Sequence, residues 1–290
     1  MDNKNNLAPV SLRSPKLCLW NREGVFLGTH YARQEPHRTT QERLTLCLNG
    51  TFTLRGADGA PITTRSCLTP AGLWLDHSVL DTRKAVVAIF FLPPFSRDYA
   101  SLGRLMREAS PGIYYQHPDE EALIRELIAI RNAPDISPNA ARQRLRRRLL
   151  PNTPRQADLP GFDARIVRVA HRIRESLGAP CPLAEMAASV HLSGSRLEKL
   201  FKKQVGLTIT QYRIRYRVSI STILMALGHS MTDAAMYAGF SSSAHLSRCY
   251  RTVNGMSPSA MFLQPPYLHP LVDESALELV APLLGSRVAV

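Results

Sequence analysis

The residues with the clearest chemical meaning are two pairs of basic side chains that recur at one spacing. Lys199 and Lys202 are followed 49 residues later by Arg248 and Arg251. Residues three apart on a helix share one face, where ammonium and guanidinium groups donate hydrogen bonds to phosphate oxygens or to the acceptor edge of guanine. The spacing therefore predicts two equivalent cationic helices that bind a polyanion.

The sequence around these cations is an internal repeat. Residues 195–212 match residues 244–261 at the same offset of 49, and Ala187 matches Ala235 at an offset of 48. In each copy a short helix carries a small residue where a second helix must pack closely, and a tight turn leads into that second helix. This layout is typical of a helix-turn-helix. The alternative is a generic helical repeat in which these positions serve only as core and caps.

Local signals predict the bounds of these helices. The first copy predicts a helix over Leu183–Val190 and a second helix that Ser193 caps. Gly239 supplies the left-handed backbone position of the second turn, and His191 occupies that position less favourably in the first.

Three stretches resemble the DNA-binding signature of the AraC/XylS family of bacterial transcriptional regulators. They are L-E-K-L-F-K-K-Q-V-G-L-T-I-T-Q-Y-R (197–213), A-G-F-S-S-S-A-H-L-S-R-C-Y-R (238–251) and G-M-S-P-S (255–259). The resemblance covers about a third of the chain and implies an all-helical domain whose two recognition helices enter adjacent major grooves. It also implies a central helix, over about Thr208–Leu227, that joins the two helix-turn-helix units. By position in the motif it implies base-edge contacts from Ser195, Glu198, Lys199, Ser243, Ala244, His245 and Arg248, and phosphate contacts from Lys202, Lys203 and Arg251.

The first half of the chain reads as β-structure. Arg43–Leu48 and Thr51–Arg55 alternate apolar and polar residues around Asn49-Gly50, which predicts a β-hairpin. Many short strands punctuated by Gly and Pro favour a small barrel or sandwich, and residues 35–50 resemble the cupin pattern. A barrel of this kind encloses a small ligand. The candidate effector-pocket residues, which core packing explains equally well for the aromatic ones, are His37, Phe52, Trp74, His77 and Phe91.

Two helices are expected after the barrel, over residues 118–131 and 138–150. The first carries an apolar stripe of Leu123, Leu127 and Ile130, which either forms a dimer seam or packs on the barrel. The second carries the basic run Arg142–Arg148, which is either a solvated face or a contact to flanking DNA phosphates.

The overall expectation is an α+β chain with a cupin-like barrel and helices followed by two helix-turn-helix units. The predicted divisions are a sensing and dimerisation domain, a Pro-rich linker, a DNA-binding domain and a tail with one short helix, at residues 1–150, 151–162, 163–262 and 263–290.

Composition agrees with a nucleic-acid partner. The 290 residues include 36 Lys and Arg against 23 Asp and Glu, a net charge of +13. Residues 163–262 hold 13 basic and 5 acidic residues, so +8 of that charge lies there. The longest apolar run, Ala85–Leu92, is too short to cross a bilayer, and no signal-peptide pattern opens the chain. A cytoplasmic protein that does not enter membranes is therefore expected.

The sequence and the resemblance together predict a sequence-specific DNA-binding transcription regulator, an activator, controlled by a small-molecule effector or a regulatory protein at its N-terminal domain. Expected partners are double-stranded promoter DNA, RNA polymerase and a second copy of the chain. No enzymatic activity, cofactor or metal is expected.

Two alternatives stay open at this point. One is a metal-dependent cupin enzyme with an accessory DNA-binding module, although Thr39 stands where metal-binding cupins carry a second His after His37. The other is DNA repair, in which the same double helix-turn-helix accompanies a methyl-accepting cysteine. None of the five cysteines has a zinc-site or Pro-Cys-His setting.

Overall fold

A computed structural model describes residues 14–29, 35–55, 59–75, 80–81, 85–110, 112–150, 161–177 and 181–285. Most of the predicted linker, residues 151–160, lies outside this set. The predicted α+β class is confirmed, because β-structure fills the first half and helices fill most of the second. Among the described residues, no helix combines the length and hydropathy that crossing a membrane requires.

The strands form one large sheet and two small ones. The strands are β1 (Lys16–Leu19), β2 (Gly24–Gly28), β3 (His37–Arg38), β4 (Arg43–Cys47), β5 (Phe52–Arg55), β6 (Pro61–Thr64), β7 (Ser66–Thr69), β8 (Trp74–Leu75), β9 (Leu80–Asp81), β10 (Val87–Phe91), β11 (Glu108–Ser110), β12 (Ile113–Tyr115) and β13 (His269–Val272). The large sheet has the order β11-β12-β7-β4-β10-β2-β1-β13, the second sheet has the order β6-β5-β9, and β3 and β8 form a small two-stranded sheet.

The predicted hairpin at Asn49-Gly50 is wrong, although both of its strands exist. β4 pairs with β7 and β10, whereas β5 pairs with β6 and β9, so the chain crosses from one sheet to another at this turn. Gly50 adopts the expected positive φ of 86°. The Asn49 side chain accepts a hydrogen bond of 2.6 Å from Val86 N, which fixes the crossing to the start of β10 instead of closing a hairpin.

Both faces of the large sheet are covered, so its central strands are apolar on both sides. Val25 and Leu27 of β2 face three helices, whereas Phe26 between them faces the barrel interior. The three helices are α1 (Asp98–Leu105), α2 (Glu120–Asn132) and α3 (Pro138–Leu149). Ser137 caps α3 as the sequence predicts, accepting a hydrogen bond of 3.2 Å from Ala140 N.

The barrel interior includes two side chains from the second half of the chain. Met256 and Met261 are 4% and 3% exposed and belong to the same apolar cluster as Phe26, Phe52 and Ile89. The barrel therefore shares its core with the helical domain.

The helical domain consists of seven helices within the described residues: α4 (Ala164–Glu175), α5 (Leu183–Ala188), α6 (Gly194–Val205), α7 (Ile209–Ala226), α8 (Met231–Tyr237), α9 (Ser243–Asn254) and α10 (Pro258–Phe262). Beyond it, the tail contains the expected helix, α11 (Glu274–Gly285).

The tail also contains a strand that local sequence signals do not predict. β13 pairs in parallel with β1, with Leu17 opposite Pro270 and Leu19 opposite Val272. Ala276 and Val280 of α11 are buried in the apolar cluster of α7, α8 and α9. The tail thus fastens the second helix-turn-helix unit to the edge of the large sheet.

Candidate nucleic-acid interface

The first helix-turn-helix consists of α5 and α6. Ser193 accepts a hydrogen bond of 3.3 Å from Arg196 N and so begins α6 where the sequence predicts. Leu197 and Phe201 are fully buried, which fixes the rotation of α6 about its axis. The opposite face is exposed and carries the predicted contact residues of this unit, Ser195, Glu198, Lys199, Lys202 and Lys203.

The second unit, α8 and α9, repeats this arrangement. Ser242 caps α9 by accepting a hydrogen bond of 3.1 Å from His245 N, and Leu246 and Tyr250 are buried. Ala244, Arg248 and Arg251 are exposed, whereas Ser243 and His245 are half-buried.

The imidazole of His245 is held at the start of α9. Its Nδ1 lies 3.0 Å from Ser241 Oγ, and its ring packs edge-on against Phe240 with centroids 5.3 Å apart. A ring held in this way presents a fixed edge to a ligand at the helix start.

The two turns differ in the residue at the left-handed position, as predicted. His191 has a φ of 55° and Gly239 a φ of 78°. A Cβ at Gly239 would lie 2.5 Å from the carbonyl oxygen of Leu177. Glycine is therefore required in the second turn, where backbone from the preceding segment passes close by.

Helix α7 joins the two units over almost the predicted range. Thr208 and Gln211 form a capping box at its start. Tyr212 is buried, and its ring packs against Phe201 of the first unit with centroids 5.5 Å apart. The N-terminal half of α7 is thereby fixed to the first recognition helix.

The cationic groups of the recognition faces are open to a ligand. Within the part of the chain that the structure describes, no carboxylate lies within 4 Å of Lys199, Lys202, Lys203 or Arg248. Arg251 is 3.8 Å from Glu35 in an exposed ion pair, which contributes little stability. These side chains keep their charge available to a polyanion.

The basic run on α3 behaves differently. Four of its arginines pair with carboxylates of the barrel and its helices: Arg142 with Glu23, Arg144 with Glu126, Arg146 with Asp98 at 3.0 Å, and Arg148 with Asp119 at 3.6 Å. Much of this charge is neutralised within the chain, which favours an internal role over contact with flanking DNA.

The apolar stripe of α2 is not a dimer seam. Leu123, Leu127 and Ile130 are each fully buried in the cluster that joins the sheet to α1, α2 and α3. The seam prediction is wrong because the barrel already covers this face, which was the alternative left open.

The predicted effector-pocket residues that the structure describes lie in different environments. His37 is buried, and its burial together with the nearby Arg43 guanidinium lowers the pKa of the imidazole to about 4. Phe52 packs in the barrel interior and Trp74 is 49% exposed. His77 lies outside the described residues. Phe91 lines a cavity between the sheet and α7.

This cavity has a volume of about 100 Å³ and mostly apolar walls. Leu17, Phe26 and Phe91 line it from the sheet, and Val218 and Ile223 line it from α7. Two guanidinium groups also reach it, those of Arg22 and Arg215.

Neither guanidinium group forms a close ion pair with a described carboxylate, although the nearby Glu42 carboxylate partly offsets the charge of Arg215. Burial lowers the pKa of Arg215 and of Arg22, and none of the described carboxylates lies within 4 Å of either group. Arg215 Nε donates a hydrogen bond of 3.3 Å to Gln41 Oε1. The sequence contains one weak signal for this site, because Arg215 lies on the helix that joins the two units. No local sequence feature indicates that this arginine is buried.

No metal site appears among the described residues: they contain no group of three His, Cys, Asp or Glu side chains that could hold an ion. The position after His37 where metal-binding cupins carry a second histidine is taken by Thr39. Thr39 is fully buried, and its Oγ1 donates to Pro70 O at 2.8 Å.

Comparison with known proteins agrees with this geometry. A family profile described as "Helix-turn-helix domain" matches residues 186–264. "Probable transcriptional regulator LumQ" of Photobacterium leiognathi is 32% identical over 95 residues, covering 32% of this chain and 38% of that protein. "HTH-type transcriptional regulator GbdR" of Pseudomonas aeruginosa is 31% identical over 108 residues, covering 35% and 29%. The chain thus spans about a third of the length of these relatives.

The fold of both halves has a counterpart among solved structures. The crystal structure of ToxT from Vibrio cholerae O395 superposes with a TM-score of 0.50 at 11% identity, over 84% of this chain and 95% of that one. At this identity the similarity establishes the arrangement of barrel and helices alone.

Proposed function

We propose that the helical domain is of the AraC/XylS type and that the chain is a sequence-specific DNA-binding activator of transcription; the helix-turn-helix profile and the similarity to two transcriptional regulators support this. The observation that carries the proposal is the pair of equivalent recognition helices, α6 and α9, each with an exposed cationic face and each held by a buried apolar stripe. Joined through α7, they are suited to two successive major grooves of one duplex.

The polar side chains of α6 and α9 fall into two groups, one that would contact base edges and one that would contact phosphates. Lys199, His245 and Arg248 are long or polar enough to reach base edges, and each good bidentate contact contributes about 1–3 kcal/mol of discrimination. Lys202, Lys203 and Arg251, nearer the C-terminal ends of the helices, would neutralise phosphates and position the protein without reading sequence. A second copy of the chain and RNA polymerase are the protein partners that we propose for this activity.

Selection of binding sites from a random duplex library tests the proposal directly. We expect a recurring motif, bound with a dissociation constant in the nanomolar range, and a log–log salt slope near the number of phosphates neutralised. Equal binding of scrambled and selected duplexes at moderate salt would contradict the proposal. A control variant in the barrel, Thr53→Ala at an exposed position of β5, should bind as the wild type does.

We also propose that the effector occupies the cavity between the sheet and α7. The apolar walls, the buried guanidinium group of Arg215 and the half-buried one of Arg22 suit a small molecule with one anionic group and an apolar body. Because Arg22 belongs to the barrel half and Arg215 to α7, an anion between them would contact both halves at once.

Octanoate and octanol form a matched pair of probes for this site, since they share the apolar body and differ in charge. We expect octanoate to raise Tm in proportion to RT ln(1 + [L]/Kd), and octanol to raise it less. Arg215→Met should abolish the difference between the two. Equal stabilisation of the wild type by both probes would argue against an anion site.

A further inference from the structure

The ends of both recognition helices touch one element of the barrel half. This element, the ribbon, consists of residues 35–39 and 70–75 and includes β3 and β8. The first recognition helix ends at Gly206 and the second at Gly255, two glycines that correspond in the sequence repeat and have φ values of 75° and 71°. Equivalent points of the two units therefore meet the two strands of one element.

The contact with the second unit is a backbone hydrogen bond. Glu35 N donates to the carbonyl oxygen of Gly255 at 2.7 Å, so the ribbon satisfies an acceptor at the C-terminal end of α9. The carboxylate of Glu35 lies 3.8 Å from Arg251, one turn earlier in the same helix.

The contact with the first unit is close backbone packing. A Cβ at Gly72 would lie 3.1 Å from the carbonyl oxygen of Gly206, and a Cβ at Gly206 would lie 3.1 Å from the carbonyl oxygen of Ala71. At these separations there is no room for either segment to move toward the other.

The ribbon is internally stiff because Thr39 ties its two strands together. Thr39 N donates to Leu73 O and Gly72 N donates to Thr39 O, both at 2.7 Å. The hydroxyl of Thr39 donates to Pro70 O at 2.8 Å and accepts from Leu73 N at 2.9 Å. Thr39, at the position where metal-binding cupins carry a second histidine, thus joins the two strands of the ribbon.

We propose that the ribbon positions the two recognition helices relative to each other and thereby sets the spacing of the two half-sites that the protein accepts. The second unit is also held by its packing on α7, by the tail helix α11, and by Met256 and Met261 in the barrel core. The ribbon contacts the C-terminal ends of both α6 and α9, and so it acts on the two recognition helices together. This inference rests on the proposed DNA-binding function.

Binding to duplexes that differ in the spacing of the two half-sites tests whether the ribbon sets that spacing. The two half-sites of the selected motif are moved apart or together by one and two base pairs, each step shifting a half-site by about 3.4 Å and rotating it by about 34°. Binding is followed by fluorescence anisotropy. For the wild type we expect a change of one base pair to weaken binding by about 30-fold, because the contacts of one helix are lost.

Two variants loosen the ribbon at different ends. Glu35→Pro removes the N–H that binds Gly255, and Ala71→Leu places bulk against Gly206. Their matched controls are Glu35→Ala, which keeps the N–H, and Thr53→Leu at an exposed position of β5. In the two ribbon variants we expect a one-base-pair change in spacing to weaken binding by less than about fivefold. In the control Thr53→Leu the same change should weaken binding as much as in the wild type, and in Glu35→Ala nearly as much.

The experiment distinguishes a role of the ribbon in spacing from a purely structural role and from failure of the proposed function. A ribbon variant that keeps a cooperative thermal transition, weakens binding at every spacing alike and retains the 30-fold penalty would overturn the proposal and leave the ribbon a purely structural role. The variants act on different units, so one of them failing to fold leaves the other to decide. Absence of any preferred motif in the wild type would instead refute the proposed function itself.

Discussion

Replacing Met256 by Ala tests whether the two halves of the chain unfold as one unit. Met256 follows the second recognition helix, yet its side chain is 4% exposed in the barrel interior. Truncating a buried Met to Ala leaves a cavity and costs about 2–5 kcal/mol. At about 2–4 °C per kcal/mol for a chain of this size class, Tm should fall by roughly 4–20 °C.

The position of the tryptophans makes the assay specific. Both tryptophans of the chain, Trp20 and Trp74, lie in the barrel half, so their fluorescence follows the barrel although the substitution lies in the helical domain. Far-UV circular dichroism follows the helices of both halves. Because the core is shared, we expect both signals to shift together.

Met236→Ala is the matched control, since Met236 belongs to the same domain and is 47% exposed on α8. It should change stability by less than about 0.5 kcal/mol. A fluorescence transition that stays at the wild-type temperature in Met256→Ala while the helical signal melts earlier would refute the shared core.

Three further predictions concern recognition, pH and the two turns. Arg248→Ala should cost about 5–150-fold at particular base pairs of the selected motif, whereas Lys202→Ala should weaken all sequences alike and lower the salt slope by about one; selection followed by sequencing compares the two profiles. Burial raises the pKa of the Glu42 carboxyl from 4.5 to about 7, only partly offset by Arg215. The folded state then holds this proton more tightly than the unfolded chain, so stability should fall as pH rises from about 4.5 to 7, by at most about 3 kcal/mol. Glu42→Gln should flatten this dependence in urea titrations at pH 5 and pH 8, and an unchanged slope would contradict the assignment. His191→Gly should stay within about 1 kcal/mol of the wild type, because relief of the positive φ opposes added chain entropy. Gly239→Ala should lose about 2 kcal/mol or more through its clash, and equal thermal stability of the two variants would be inconsistent with the turn geometry.

The helical domain follows from local signals in the sequence. Ser193 and Thr208 begin α6 and α7 where the sequence predicts, because a cap acts on backbone groups two or three residues away. The internal repeat adds a second copy of each signal, which fixes which face of each helix is buried. The predicted contact residues of α6 lie on its exposed face, as do Ala244, Arg248 and Arg251 of α9, whereas Ser243 and His245 are half-buried.

The barrel half depends on contacts between residues that are distant in the sequence, so local patterns predict its strands but not their pairing. The alternating runs around Asn49-Gly50 predict two strands, but their partners are chosen by burial against β7, β9 and β10. An apolar stripe such as Leu123 and Leu127 has the same pattern whether it meets a barrel or a second copy. The cavity at Arg215 depends on how α7 lies on the sheet, and no short stretch of sequence encodes that arrangement.

The pairing of β13 with β1 has a consequence for biosynthesis. Residues 16 and 269 are 253 positions apart, and a ribosome adding about 5–20 residues per second takes roughly 13–50 s to make the chain between them. During that time the outer edge of β1 has no strand beside it, and the barrel lacks the methionines that complete its core. A nascent chain that stalls within the helical domain would therefore present an open strand edge to other chains. The edge of the large sheet and the core of the barrel are therefore completed by residues that are translated late.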